Sequence, residues 1–159
     1  MSISILSRAT LVFLLFFLSA CNNSSKDLPK ENKKTDGITN EYNMCLEEIN
    51  KGDVSGGLLK IYEIVSNNQS AEISEIGRDK LCELLYTHTK QWVETFSQVD
   101  FNKFKKYLDT GGLYPVDLPE GIASEKEYKK AVKLKLDKIR WSDREKELVN
   151  YIQGAMSQE

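Results

Sequence analysis

Apolar residues recur three or four positions apart along most of the chain, broken at intervals by short polar stretches, which is the signature of amphipathic helices. Tyr42, Cys45, Leu46 and Ile49 share one face of a helix expected from about Asn40 to Asn50, ended by Lys51-Gly52-Asp53. Leu58, Ile61, Tyr62 and Val65 align from about Ser55 to Ser66, although Gly56 and Gly57 weaken the start of that helix. The longest stripe is Ile73, Ile76, Leu81, Leu84, Leu85, His88, Trp92 and Phe96. It predicts one helix from about Ala71 to Phe96, with Ser70 as N-cap, forming the spine of a bundle.

Capping signals place the remaining elements. Asp100 can cap a fourth helix carrying Phe101, Phe104, Tyr107 and Leu108, with Val99 and Phe104 set as a hydrophobic staple and Gly111-Gly112 as the stop. Ser124 with Glu127 opens a fifth helix to about Arg140, burying Tyr128, Val132, Leu136 and Ile139. Ser142 with Glu145 opens a sixth, burying Leu148, Val149, Ile152 and Met156. The expectation is an all-α fold, a single bundle of about six helices with no β-sheet, spanning residues 38–159. Its first two helices form a hairpin. Their sequence "KGDVSGGLLKIYEIV" loosely resembles the second half of a tetratricopeptide-type repeat. No second copy follows about 34 residues on, and large residues stand where that family wants small ones, so the hairpin is read as non-repeating.

The stretch "TGGLYPVDLPEGIA", Thr110 to Ala123, fits no periodicity. A loop of that length is uncommon in a compact domain and is often functional. It carries Leu113, Tyr114, Val116 and Leu118 on a backbone stiffened by Pro115 and Pro119. The plain reading is a strap filling the seam between the fourth and fifth helices. The functional reading is a partner-binding strap with Tyr114 and Leu118 as anchors.

The first residues follow a different pattern. Arg8 precedes the uninterrupted apolar run Leu11 to Leu18, and the small residues Ser19 and Ala20 lead into Cys21. This is the layout of a secretory signal peptide over residues 1–20. Counted from Ala9 to Cys21, the apolar segment would rise only about 20 Å as a helix, against a hydrocarbon core of about 30 Å. Leu18-Ser19-Ala20-Cys21 resembles the lipobox of bacterial lipoproteins. That resemblance implies a diacylglycerol thioether on Cys21, cleavage just before it and acylation of the freed amine, with palmitate-type chains as the anchor. Two or three acyl chains at about 0.8 kcal/mol per buried methylene hold a protein on a membrane durably. Asn22, where an inner-membrane retention signal would be Asp, implies the outer membrane of a diderm cell with the domain facing the periplasm; an inner-membrane or monoderm location is the alternative.

Cleavage would leave 139 of the 159 residues and, with Arg8 gone, move the net charge from −2 to −3. Residues 21–37 then read as the lipidated cysteine and a flexible tether. "NNSSKDLPKENKKTDG" holds one large aliphatic residue, Leu28, too little apolar surface to offset the entropy of ordering it. As a coil it spans about 20–25 Å.

Two cysteines remain after Cys21. In an oxidising periplasm, Cys45 and Cys82 are expected to form a disulfide, closing a loop of about 38 residues and contributing up to about 4 kcal/mol in the chain-entropy model. Two buried free thiols are the alternative. A zinc site lacks a fourth ligand, since the chain has a single histidine, His88, read as packed at the core edge. No metal or other cofactor is expected. The chain has no HExxH, no GxSxG and no phosphate-binding glycine loop, and no catalytic residue is assigned.

The fifth helix carries Lys126, Lys129, Lys130, Lys133, Lys135, Lys138 and Arg140 against Glu125, Glu127 and Asp137. On an exported, mildly acidic, lipid-anchored protein that excess does not point to nucleic acid. It is a solvated face or a docking surface for an acidic partner or for head groups. The expectation for the whole is a non-catalytic lipoprotein whose domain binds a periplasmic protein. It resembles the lipidated pilotins of secretion systems in size, anchor, helicity and cysteine pair alone. The alternatives are an immunity protein or inhibitor directed at an envelope toxin or lytic enzyme, and a cell-wall hydrolase working with one glutamate.

Overall fold

The computed structural model describes residues 33–67 and 71–158. The signal segment, Cys21 and most of the expected tether lie outside the described residues. Thr35–Glu159 forms one compact unit. It is all-α, with seven α-helices and no strand among the described residues: α1 (Lys33–Asn50), α2 (Val54–Asn67), α3 (Ala71–Thr87), α4 (Thr89–Phe96), α5 (Phe101–Tyr107), α6 (Glu125–Asp137) and α7 (Asp143–Ala155). A single π-turn, Leu108–Gly112, follows α5. No described helix is long and apolar enough to cross a membrane.

Most residues of the expected stripes are buried or half-buried, Ile76 being the exposed exception and Ile139, past the end of α6, only partly covered, and two helix boundaries differ. α1 starts at Lys33, inside the segment read as tether, and not at Asn40. The expected spine helix is divided at His88, whose backbone (φ −123°, ψ 43°) leaves the helical region between α3 and α4. Its neighbours explain why the break is tolerated. Thr87 Oγ1 donates to the Glu83 carbonyl at 2.8 Å and Thr89 Oγ1 to the Leu85 carbonyl at 2.7 Å, so threonine hydroxyls bond back to the preceding turn. From α6, Lys135 Nζ donates to the Tyr86 carbonyl at 2.6 Å. His88 itself is half-buried, with Nδ1 paired to Thr87 Oγ1 at 2.9 Å.

The two glycines that weaken the start of α2 have separate roles. Gly56 N–H donates to Asp53 Oδ1 at 2.9 Å, so Asp53 caps the helix. Gly57 is buried where α1 crosses: a Cβ there would strike the Ile49 side chain and stand 3.0 Å from the Cys45 carbonyl. Gly77 on α3 plays the same part against Val65 of α2. α3 then packs on α2, α4, α6 and the π-turn, while α4 also meets α2, α6 and α7.

The centre is aromatic. Phe96 and Phe104 stack with centroids 4.3 Å apart, and Tyr62 meets Phe96, Phe104 and Tyr107 edge-on at 5.2–5.6 Å. Each such pair contributes about 0.5–1.5 kcal/mol beyond area burial. Trp92 is fully buried and its indole donates to the Leu81 carbonyl at 3.0 Å. Ile76, counted in the stripe, is 48% exposed.

The expected disulfide is corrected: Cys45 and Cys82 are both buried free thiols. They point into different seams. Cys45 lies against α2 and donates to the Glu41 carbonyl of its own helix at 3.1 Å. Cys82 points to the π-turn, donating to the Gly112 carbonyl at 3.6 Å, with the Tyr128 hydroxyl of α6 on its own carbonyl at 3.0 Å. The partners of Cys82 are thus the π-turn and α6, whereas Cys45 bonds within its own helix. Burial pushes the Cys82 thiol up to about 12, with Asp79 adding and Tyr128 opposing, and raises that of Cys45.

Candidate partner-binding surface

The irregular stretch after the π-turn is an ordered strap. Gly111, at φ +96°, reverses the chain as no residue with a side chain would do without strain, and Tyr114 N–H closes the turn on the Gly111 carbonyl at 3.1 Å. Leu113 is 1% exposed and anchors the strap in the core. Asp79 of α3 then accepts from Val116 N–H at 2.7 Å and from Asp117 N–H at 3.2 Å. At the far end, Gly121 (φ +82°) turns the chain and Ala123 N–H donates to Glu127 Oε2 at 2.9 Å.

That last bond modifies the expected capping box. Ser124 Oγ accepts from Glu127 N–H at 3.2 Å, but the Glu127 carboxylate reaches one residue further back than Ser124. At α7 the Glu145 carboxylate accepts the Ser142 N–H at 2.7 Å, as expected. Asp100 likewise caps α5 through Lys103 N–H at 2.8 Å.

Of the two proposed anchors, Tyr114 lies between helices. Its hydroxyl donates to the Ala155 carbonyl of α7 at 3.1 Å, and the Lys129 ammonium of α6 stands 5.0 Å over its ring. Leu118 is half-buried and packs on the core. Val116, named in the sequence but not singled out, is the strap's outward apolar residue, 55% exposed. Its N–H is held by an aspartate on α3, thirty-seven residues earlier, and that long-range bond has no local sequence signal.

Two grooves lie against α6 and α7, and Tyr114 lines the smaller. One, of about 1060 Å³, lies along α6 and the end of α7, with Lys126, Lys129, Lys130, Lys133, Leu134 and Met156 in its lining. The other, of about 430 Å³, lies beside α7 and includes Asp109, Tyr151 and Gly154. A Cβ on Gly154 would meet nothing within 4 Å, so that groove is open at its floor. Beside it Tyr151 donates to the Asp109 carboxylate, which Lys105 also approaches at 2.8 Å; these two donors hold Asp109 below its usual range.

The basic face of α6 divides into tied and untied cations. Lys129 pairs with Glu125 at 2.8 Å, Lys133 donates to Ser157 Oγ at 2.9 Å, and Lys135 is spent on Tyr86, carbonyl and ring alike. Lys126, Lys130, Lys138 and Arg140 are exposed and form no ion pair among the described residues. No cluster of three or more metal-ligating side chains occurs among the described residues, and no described glutamate is buried. Compared with family models, curated proteins and solved structures, the chain matches none.

Proposed function

We propose that this is a lipid-anchored outer-membrane lipoprotein, held by acyl chains on Cys21, whose helical domain binds a protein with an acidic surface in the periplasm. It acts there as a non-catalytic accessory factor of secretion or envelope assembly, in the general manner of pilotins. The observation that supports the binding role most is the strap. Its backbone is bonded in place by Asp79 and Glu127, yet it turns Val116 outward. An apolar side chain on a pre-ordered loop costs little further entropy when a partner covers it. The exposed Lys126 and Lys130 on nearby α6 supply the charge that favours an acidic partner and speeds the encounter.

The test is fractionation of cells producing the whole chain, combined with mass analysis of its N-terminus. The expected result is an acylated chain beginning at Cys21 in the outer-membrane fraction, and a Cys21→Ser chain that leaves it. A wild-type chain with unmodified Cys21 in the soluble fraction overturns the anchoring. Release of cell-wall fragments by the purified protein, abolished by replacing one glutamate, overturns the binding role in favour of a hydrolase.

A further inference from the structure

A third groove, of about 500 Å³, runs between α2, α3 and α5 and reaches Thr110, away from Tyr114, Val116 and Leu118. Its charged lining is Arg78, Lys103 and Lys106, and no carboxylate lines it. None of the three cations forms an ion pair among the described residues. Asp79, next to Arg78 in sequence, is committed to the strap amides.

Two donors at this groove are sealed from solvent with no hydrogen-bond partner in the protein: the Nε of Arg78 and the hydroxyl of Tyr107. A buried donor left unpaired costs about 1–3 kcal/mol, so two on the lining of one groove call for an acceptor. Their positions are imposed by the turn below them. Gly112 admits the Tyr107 ring, since a Cβ there would stand 2.8 Å from its Cζ, and the Arg78 guanidinium lies over Gly111, 3.7 Å from where a Cβ would be. The turn is a kink after α5, with Thr110 (φ −88°, ψ 18°) and Gly111 (φ 96°, ψ 12°) outside the helical region. Burial drives the Tyr107 phenol well above its usual range, so it remains a neutral O–H donor at any physiological pH.

We infer that this groove binds a phosphate-class oxyanion through the Arg78 guanidinium and the Lys103 and Lys106 ammonium groups, with a turn of the Arg78 side chain onto the anion bringing its Nε and the Tyr107 hydroxyl into contact with it. Guanidinium matches the geometry of phosphate oxygens in a bidentate fork, two ammonium groups balance the second charge, and the phenol supplies a fixed neutral donor. Ser66 and Ser74, on the facing turns of α2 and α3, border the groove with further hydroxyls. The chemistry is that of a free phosphate or soluble phosphoester and equally that of a lipid phosphate. The site does not depend on the proposed partner surface or on the anchor.

The experiment follows the Arg78 Nε–H resonance by NMR in the full chain in dodecyl maltoside micelles. One arm adds inorganic phosphate, the other phosphatidic acid as mixed micelles. A saturable shift with inorganic phosphate assigns a soluble ligand, and a shift with phosphatidic acid alone assigns a lipid head group. Arg78→Met should weaken binding about tenfold or more, read by calorimetry. Tyr107→Phe, which removes only the unpaired hydroxyl and so spares the fold, should weaken it several-fold. Lys126→Gln with Lys130→Gln, in the other basic groove, should leave it unchanged. No shift of Arg78 in either arm, or undiminished affinity in both Arg78→Met and Tyr107→Phe, overturns the site.

Discussion

Asp79 on α3 holds Val116 on the strap: its carboxylate accepts the Val116 N–H at 2.7 Å and the Asp117 N–H at 3.2 Å. An ionised acceptor shared by two amides is stronger than a neutral one, so this contact, with Leu113 below it, sets the strap's conformation. Asp79→Ala should cost about 1–3 kcal/mol and leave the helices intact. Hydrogen exchange at the Val116 and Asp117 amides should rise to the level of open loops, while the Trp92 amide in α4 stays protected. Unchanged protection at Val116 would show that the strap is held by its prolines and Leu113 alone.

The break at His88 depends on a side chain from a distant helix. Lys135 Nζ donates to the Tyr86 carbonyl at 2.6 Å and lies 3.9 Å over the Tyr86 ring. Lys135→Met keeps the aliphatic stem and removes the donor. It should destabilise the domain by about 1–3 kcal/mol, seen as a lower denaturation midpoint with an unchanged m-value. A loss below about 0.5 kcal/mol would mean that Thr87 and Thr89 alone support the break.

Both thiols should be inert in the folded chain. With the Cys82 thiol pushed up to about 12 and that of Cys45 also raised by burial, almost no thiolate is present at pH 8. Alkylation of Cys45 and Cys82 should therefore be slow in buffer and complete in denaturant without reductant. Mobility on gels with and without reductant should be identical. A faster non-reduced band would reinstate the disulfide.

Glu145 gives the acid limb of stability a defined sign. Bonding to Ser142, through its hydroxyl and N–H, lowers the carboxyl pKa from the usual 4.5. The folded state thus favours the ionised form. Its contribution is fully present above about 4.5 and is lost as pH falls through the folded-state value. Glu145→Gln should lower stability at pH 7 by about 0.5–1 kcal/mol, the range for an exposed helix cap, and the gap to wild type should shrink below pH 4. A gap that is constant with pH would rule out an ionised cap.

The helical spacing of apolar residues carried most of the fold, and single side chains reaching across it carried what the pattern lacked. Leu81, Leu84, Leu85, Trp92 and Phe96 could be read as one buried stripe, and they are buried, but nothing in that periodicity marks His88 as a break. The threonines beside it bond locally, and Lys135 reaches Tyr86 from a helix forty-nine residues away. Cys82 was ambiguous for a related reason. A residue at the edge of a stripe can face either neighbour, and here it faces the π-turn and Tyr128. The strap's apolar content was legible, yet which residue points outward was not, because Asp79 and Ala155 decide it from other helices. Arg78 and Tyr107 meet only through tertiary packing, and no local motif joins them.

The partner-binding role is tested most directly by a photo-crosslinking amino acid placed at Val116 in the whole chain, irradiated in intact cells and recovered from detergent-solubilised membranes. The same probe at Met44, 62% exposed on α1, serves as the control. The account predicts one discrete adduct from position 116, absent from position 44 and lost when Lys126 and Lys130 are both replaced by glutamate. No adduct at 116, or the same adducts from both positions, would contradict it.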